Sequence, residues 1–287
     1  MYIRNLVENT CIRYGLQGEH GLSFYIETAG HRVLFDMGTS EKYWKNARRM
    51  GIRLEEVDTV ILSHGHNDHG GGLKTFLERN QKAKIYVHEN AFRRHYSDLR
   101  RETGNTLPDV SECADISLDS SVRDSGRIIC VDKAMWVIDN ELTLLSGIIP
   151  LRLQPDTSKR LYEETKEGLG RDTFSHEQHL IISEKGRRVL FCGCSHTGIV
   201  NILENFRENF GMAPEIVVGG FHLSSPRMGT MADERLMEKI AAELMHYTKC
   251  RYYTCHCTGV KAYEWLRVRM GEQIQYVSTG DAVTVEW

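Results

Sequence analysis

His64-Gly65-His66-Asn67-Asp68-His69 places three imidazoles and a carboxylate within six residues, between the apolar run Val60-Ile61-Leu62 and the triplet Gly70-Gly71-Gly72. Imidazole and carboxylate are ligands that a borderline divalent cation such as zinc prefers. A turn directly after a strand can hold such ligands at fixed geometry. The spacing H-x-H-x-D-H therefore reads as a metal site rather than a polar loop that happens to be rich in histidine.

Outward from that cluster, two stretches echo each other. Ser23 to Gly38 reads as a hairpin: Phe24 and Ile26 alternate, Ala29-Gly30 turns, and Val33-Leu34-Phe35 returns. Leu180 to Gly193 has the same form, with Ile181-Ile182, a turn at Lys185-Gly186, then Val189-Leu190-Phe191. The strings HRVLFDMG and RRVLFCGC align without a gap, at an offset of 156 residues. A strand–helix alternation follows each hairpin, which predicts two sheets packed face to face.

Helices are expected from near Gly72, over Ile199 to Phe210, over Glu234 to Tyr247 and over Tyr263 to Met270. Strands are expected over Lys84 to Val87, Glu215 to Val218, Arg251 to His256 and Gln275 to Val285. The stretch around 90–171 is less regular. There Arg93, Arg94, Arg100 and Arg101 surround His95 and Tyr96, and suit either an anionic substrate or a solvated helix face. Glu163, Glu164 and Glu167 read as surface. No linker divides the chain, so residues 1–287 are expected to form one domain with an insertion around 90–171.

Composition narrows the function. A net charge of −3 argues against the basic surface that nucleic-acid binding wants. Met1 to Val7 has no apolar leader core and no 18-residue apolar run occurs, so neither a signal peptide nor a membrane span is expected. The eight cysteines are spaced unlike a disulfide framework and read as reduced thiols in a cytoplasm.

Three further motifs carry chemistry. Gly193-Cys194-Ser195-His196-Thr197-Gly198 lies between a strand and a helix; if extended, Cys194 and His196 share a face and Ser195 points away. Gly219-Gly220-Phe221-His222-Leu223 ends an apolar strand, where paired glycines permit close backbone approach. His222 suits metal binding, proton donation, oxyanion binding or a structural place. Cys255-His256-Cys257-Thr258-Gly259 has the wrong spacing for a zinc knuckle. On a strand its two thiols would face the core and His256 the other side.

With EHGLS from Glu19 and LFDMG from Leu34, these motifs resemble the metallo-β-lactamase superfamily over nearly the whole chain. Within it they resemble a subgroup that includes a synthase of methanopterin biosynthesis, which joins a dihydropterin pyrophosphate to ribofuranosylaminobenzene 5′-phosphate. The resemblance implies an α/β fold: an αββα sandwich of two mixed sheets with helices outside and ligands at one edge. It implies that His64 and His66 bind one metal with a downstream histidine, for which His196 is the natural choice. Asp68 and His69 would bind the other, with His256 as the last histidine. His66 stands where the oxygen-reducing diiron branch carries Glu, which favours hydrolytic zinc-type chemistry. Most relatives follow the equivalent of Gly193 with an aspartate that bridges the metals. Cys194 stands there instead, as a thiolate ligand or as small filler. Met37 departs from the commoner LFDTG, and Glu19 and His20 have no assigned role.

The expectation is a cytoplasmic hydrolase with two divalent metal ions, zinc first and manganese or iron as alternatives, acting on a small anionic ester, phosphoester or lactone. Such metals lower the pKa of a bound water from about 16 toward 7, giving a metal-bound hydroxide. Asp68 and His222 are the catalytic candidates, and Arg93 and Arg94 the substrate-binding ones. The alternatives are the pterin-directed transferase, with pyrophosphate released, and a non-catalytic metal-binding sensor.

Overall fold

The computed structural model describes residues 1–101, 106–225 and 229–286. Alternation sets its layers. Phe24, Ile26, Val33 and Phe35 of the first hairpin point into the same apolar cluster as Leu180, Ile182, Val189 and Phe191 of the second. The residues between them, Tyr25 and Leu34 on one side and Ile181 and Leu190 on the other, face outward onto helices. The result is the αββα sandwich, with the Phe35 and Phe191 rings 5.9 Å apart at the middle.

Each sheet has seven strands. The first runs Ala282–Thr284, Tyr2–Val7, Ser23–Glu27, Arg32–Phe35, Thr59–Ile61, Lys84–His88, Ile128–Val131. The second runs Met135–Val137, Leu142–Ser146, Gln178–Glu184, Arg187–Cys192, Ile216–Gly219, Arg251–Thr254, Ile274–Tyr276. In both, successive pairings are antiparallel as far as the hairpin and parallel beyond it. Phe24 pairs with Phe35 and Leu180 with Phe191, so the hairpins share one register at the offset read from the sequence. Lys185 and Gly186 both have positive φ, 51° and 76°, as a tight two-residue hairpin turn requires.

Helices Lys42–Arg49 and Leu73–Arg79 cover the first sheet, with Tyr43, Trp44, Leu73 and Phe76 buried. Ile199–Phe210, Glu234–His246 and Val260–Met270 cover the second. Glu234–His246 starts at Asp233, whose carboxylate accepts from the backbone N–H of Arg235 and Leu236.

Several expectations are corrected. The region around 90–171 is not all insertion, since Ile128–Val131, Met135–Val137 and Leu142–Ser146 belong to the two main sheets. Four further strands of the region form a small sheet, in the order Gly168–Arg171, Leu161–Thr165, His95–Asp98, Cys113–Asp115. Glu163 is not surface: it is buried, and accepts from Thr173 N and Oγ1. The strand expected to reach His256 stops at Thr254, and the Gln275 to Val285 region divides between the two sheets. All eight cysteines are free. No helix among the described residues is long and apolar enough to cross a membrane.

Candidate metal centre

Ligand candidates gather where strands of both sheets end. Thr59–Ile61 leads into His64, His66 and the short helix Asn67–Gly70, which carries Asp68 and His69. Arg187–Cys192 leads into Cys194 and His196, Ile216–Gly219 into His222, and Arg251–Thr254 into His256 and Cys257. These loops are sharply bent: Ser195, His222 and His256 have positive φ of 58°, 49° and 51°. Non-glycine residues hold such angles only where surrounding structure fixes them, typically at functional sites.

The donors fall into two sets. His64, His66 and His196 bring ligand atoms within 4.8 Å of one another, with 3.3 Å between the Nε2 atoms of His64 and His196. His69 Nε2 and His256 Nε2 lie 3.1 Å apart, and Asp68 Oδ2 lies 3.7 Å from the first and 3.4 Å from the second. Cys194 Sγ stands between the sets, 3.2 Å from His69 Nε2 and grouped with His64.

What lies behind the imidazoles tests whether a cation fits. His69 Nδ1 donates to Asp36 Oδ2 at 2.6 Å, and His256 Nδ1 to Asn9 Oδ1 at 2.8 Å. Each neutral ring then leaves a bare Nε2 lone pair facing the other, beside an anionic carboxylate. Burial lowers the pKa of His69, but Asp68 and Asp36 outweigh it and raise it to about 9. The spot wants a positive charge, and a divalent cation fits it. On the other set, His64 Nδ1 donates to Ser63 Oγ at 2.8 Å, and Ser63 Oγ donates to Asp36 Oδ2 at 2.7 Å. Asp36, the acid of LFDMG, thus anchors one histidine of each set. Hydrogen-bonded oxygens behind ligand histidines fix the tautomer and aim the ring.

His66 is anchored differently. Its Nε2 donates to Asp172 Oδ2 at 3.4 Å, which leaves Nδ1 for a metal. Asp172 also receives His95 Nδ1 at 3.1 Å and His176 Nε2 at 3.2 Å. These four side chains could themselves suit a metal, but Gly65 N donates to His176 Nδ1 at 2.9 Å. A cation on His176 Nε2 would require a proton on that Nδ1, opposing two N–H groups. The cluster is a carboxylate collecting imidazole N–H donors. Burial lowers the His176 pKa to about 3, keeping it neutral for this role.

The loop backbones are tied down as well. Glu177 accepts from the backbone N–H of His196 and Thr197, and Glu8 from that of His256. A Cβ at Gly193 would strike Ser63 Oγ, and one at Gly220 would strike Cys257 Sγ. The paired glycines therefore admit the Cys192 backbone at Gly219 and the Cys257 thiol at Gly220. Because His256 breaks the strand alternation, Cys255 enters the core between the sheets while Cys257 lines the site beside Cys194 and His222. The expectation that both thiols face the core holds for Cys255 alone. Nor is the Cys194-to-His196 segment extended, since Ser195 turns and its Oγ donates to Gly220 O.

A cleft of about 710 Å³, its open mouth included, exposes this centre. Asp68, His66, His196, His222, His256, Cys194 and Cys257 line one side of it, and Ser97, Thr157, Arg160 and Leu161 belong to the small sheet and its approach. His222 packs its ring 4.2 Å from that of His196, and its buried Nδ1 has no hydrogen-bond partner among the described residues. His20 Nε2 lies 3.3 Å from Asp68 Oδ2, so the EHGLS motif reaches the site. Glu19 caps the Thr39-Ser40 turn instead, accepting from both backbone N–H groups at 3.0 Å. Arg93 and Arg94 are outside the cleft: they pair with Glu163 at 3.5 Å and Asp115 at 2.5 Å, half-exposed. The residues that sequence reasoning missed are Asp36, Asp172, His95, His176, Glu177, Glu8 and Asn9. Only Asp36 sat in a quoted motif.

A sandwich carrying two imidazole-rich donor sets at one edge defines a metal-dependent α/β class. The chain belongs to the metallo-β-lactamase superfamily, an enzyme superfamily whose model matches residues 16–220. It is 30% identical, over 92% of its length and 90% of the relative's, to the 7,8-dihydropterin-6-methyl-4-(β-D-ribofuranosyl)-aminobenzene-5′-phosphate synthase of Methanocaldococcus jannaschii. The crystal structure of Tm1679, a metal-dependent hydrolase of the β-lactamase superfamily, matches with a TM-score of 0.79 at 27% identity, over 99% of both chains. Zinc-bound PqqB from Methylobacterium extorquens shares the fold alone, at a TM-score of 0.60 and 12% identity over 99% of this chain and 100% of that one.

Proposed function

We propose that this protein is a metal-dependent hydrolase of a small anionic ester, phosphoester or lactone. The carrying observation is the pair of donor sets, His64/His66/His196 and Asp68/His69/His256, buried but for the part-exposed Asp68 and opening into one cleft beside His222. Two divalent ions held there, zinc first, would supply Lewis acidity and acidify water. The chain's own residues do the rest. Asp68 is held ionised: burial would raise its pKa, but His69, His256 and His20 hold it well below the usual carboxylate range. It can orient an attacking water by accepting its hydrogen bond. His222, with an uncommitted Nδ1, stabilises the developing oxyanion or hands a proton to the leaving group. The size of the cleft and the net charge of −3 favour a small substrate over long nucleic acid.

Similarity to the synthase across nine-tenths of both chains supports a second reading, transfer from a dihydropterin pyrophosphate with release of pyrophosphate. One experiment separates them: a metal-reconstituted screen across phosphodiesters, lactones, thioesters and dihydropterin pyrophosphate, with and without an aromatic amine acceptor. Hydrolysis without acceptor is expected. Pyrophosphate release that depends on the acceptor would replace the hydrolase with the transferase. No turnover at full metal occupancy would leave a sensor.

A further inference from the structure

The small sheet brings an arginine into the cleft that no motif marks. Antiparallel pairing sets Leu161 opposite Ser97, so Arg160 enters its strand level with Asp98, and Arg160 and Ser97 both line the cleft. The guanidinium is tethered at one corner, where Nη2 donates to the backbone carbonyls of Asp98, at 3.3 Å, and Arg100. Its Nε is buried without a hydrogen-bond partner among the described residues.

Its charge is also poorly matched. Among the described residues its ion-pair partner is Asp98, 3.9 Å away and already gripped by Arg100 Nε and Nη2 at 2.9–3.2 Å. A buried donor left unpaired is costly, and a ligand in the cleft would complete this one. Apart from His222, the imidazoles in the cleft are claimed by the metal centre and its carboxylates. Ser97, Ser224 and Ser225 add hydroxyls to the lining.

We propose that Arg160, with Ser97, binds an oxyanion at the end of the substrate that does not react, a phosphate monoester or a carboxylate. This rests on the reading of the cleft as a substrate site and names the group that orients the substrate in it. A guanidinium suits such an oxyanion: with Nη2 tethered it keeps its full charge, and its Nε–H donor is still unspent. It also displaces Arg93 and Arg94, whose charges are spent on Glu163 and Asp115 outside the cleft.

The test is binding to the zinc-loaded protein, measured by calorimetry with phenyl phosphate, benzoate and neutral benzamide. At least one anion is expected to bind more tightly than benzamide and to lose about 10- to 100-fold in Arg160→Met, the value of a charge-assisted pair. Arg160→Lys should recover part of it and Ser97→Ala should lose a few-fold. Phenyl phosphate favoured over benzoate identifies a phosphate, and the reverse a carboxylate. Arg160 tethers two carbonyls, so metal content and melting are checked first; if Arg160→Met does not fold, Arg160→Lys and Ser97→Ala carry the test. Anion affinities equal in wild type and the folded variants overturn the proposal. These measurements need no turnover, so they stand apart from the choice of hydrolase or transferase.

Discussion

The two halves of this molecule share a scaffold and divide the chemistry. Their hairpins have one register and their sheets one sequence of antiparallel and parallel pairings. Yet Asp36 in the first half aligns with Cys192 in the second at the shared offset. Asp36 anchors His69 directly and His64 through Ser63, whereas Cys192 lies in the apolar cluster under the outer helices. The first half packs four ligand candidates into one turn, while the second spreads the site residues Cys194, His196, His222 and His256 over three strand ends. A repeated backbone thus specifies where ligands can emerge, and side chains choose which half anchors them.

The largest difference between the halves is expected at the metal. About two divalent ions per chain are expected by elemental analysis, and His64→Ala or Asp68→Ala should remove at least one. Asp36→Ala, which touches no metal, should still weaken binding at both sets by about 10- to 100-fold, the usual cost of losing an oxygen behind a ligand histidine. Its structural twin Cys192→Ala should leave metal affinity alone and cost about 0.5–3 kcal/mol of stability. Equal metal affinity in wild type and Asp36→Ala, by zinc titration, would dissolve the asymmetry between the halves.

A smaller effect falls on catalysis in the second half. His222→Ala should keep its metal and lose turnover by about 10²- to 10³-fold. A metal-loaded variant with unchanged turnover would return His222 to a structural place.

The same asymmetry explains what the sequence made legible. Ligands on one turn have a fixed spacing, so His64, His66, Asp68 and His69 could be grouped before any tertiary contact was known. The hairpins were legible because period-two alternation survives in a buried sheet. The anchors were not. Asp172 and His176 lie over 100 residues from His66 and obey no local period, and Glu8 meets His256 across 248 residues. Cys257 was misread because alternation holds only while a strand continues, and this one ends at Thr254. Arg93 and Arg94 stood out by clustering, but clustering does not reveal that Glu163 folds inward to meet one of them.

Cys194 sharpens the contrast by about another order. Where the resemblance leads to the expectation of an aspartate bridging the metals, this chain offers a buried thiol. One site should therefore bind zinc more weakly than the other, and Cys194→Asp should narrow the gap roughly ten-fold. Two equally tight sites in both wild type and Cys194→Ser would show that the thiol is filler.

The smallest effect tests how the halves are joined away from the metals. His31, in the turn of the first hairpin, reaches Asp58 with Nδ1 and Asp139 with Nε2, each at 2.8 Å. Asp58 precedes a strand of the first sheet and Asp139 lies between two strands of the second, so one imidazole ties the sheets. Burial lowers its pKa, but the carboxylates Asp58 and Asp139 outweigh it, and the net shift is upward. A raised folded pKa means the tie is fully present below about pH 6.5, the unfolded value, and fades as pH rises through the folded one. The ring is part-exposed, so the expected contribution is below about 1 kcal/mol, or a few degrees in Tm. Melting wild type and His31→Ala at pH 5.5 and 8.5 isolates it, because other titrating groups cancel in the difference. Wild type should lead at pH 5.5 and lose that lead by pH 8.5; a lead independent of pH would mean that packing, not charge, fastens the two halves at this corner.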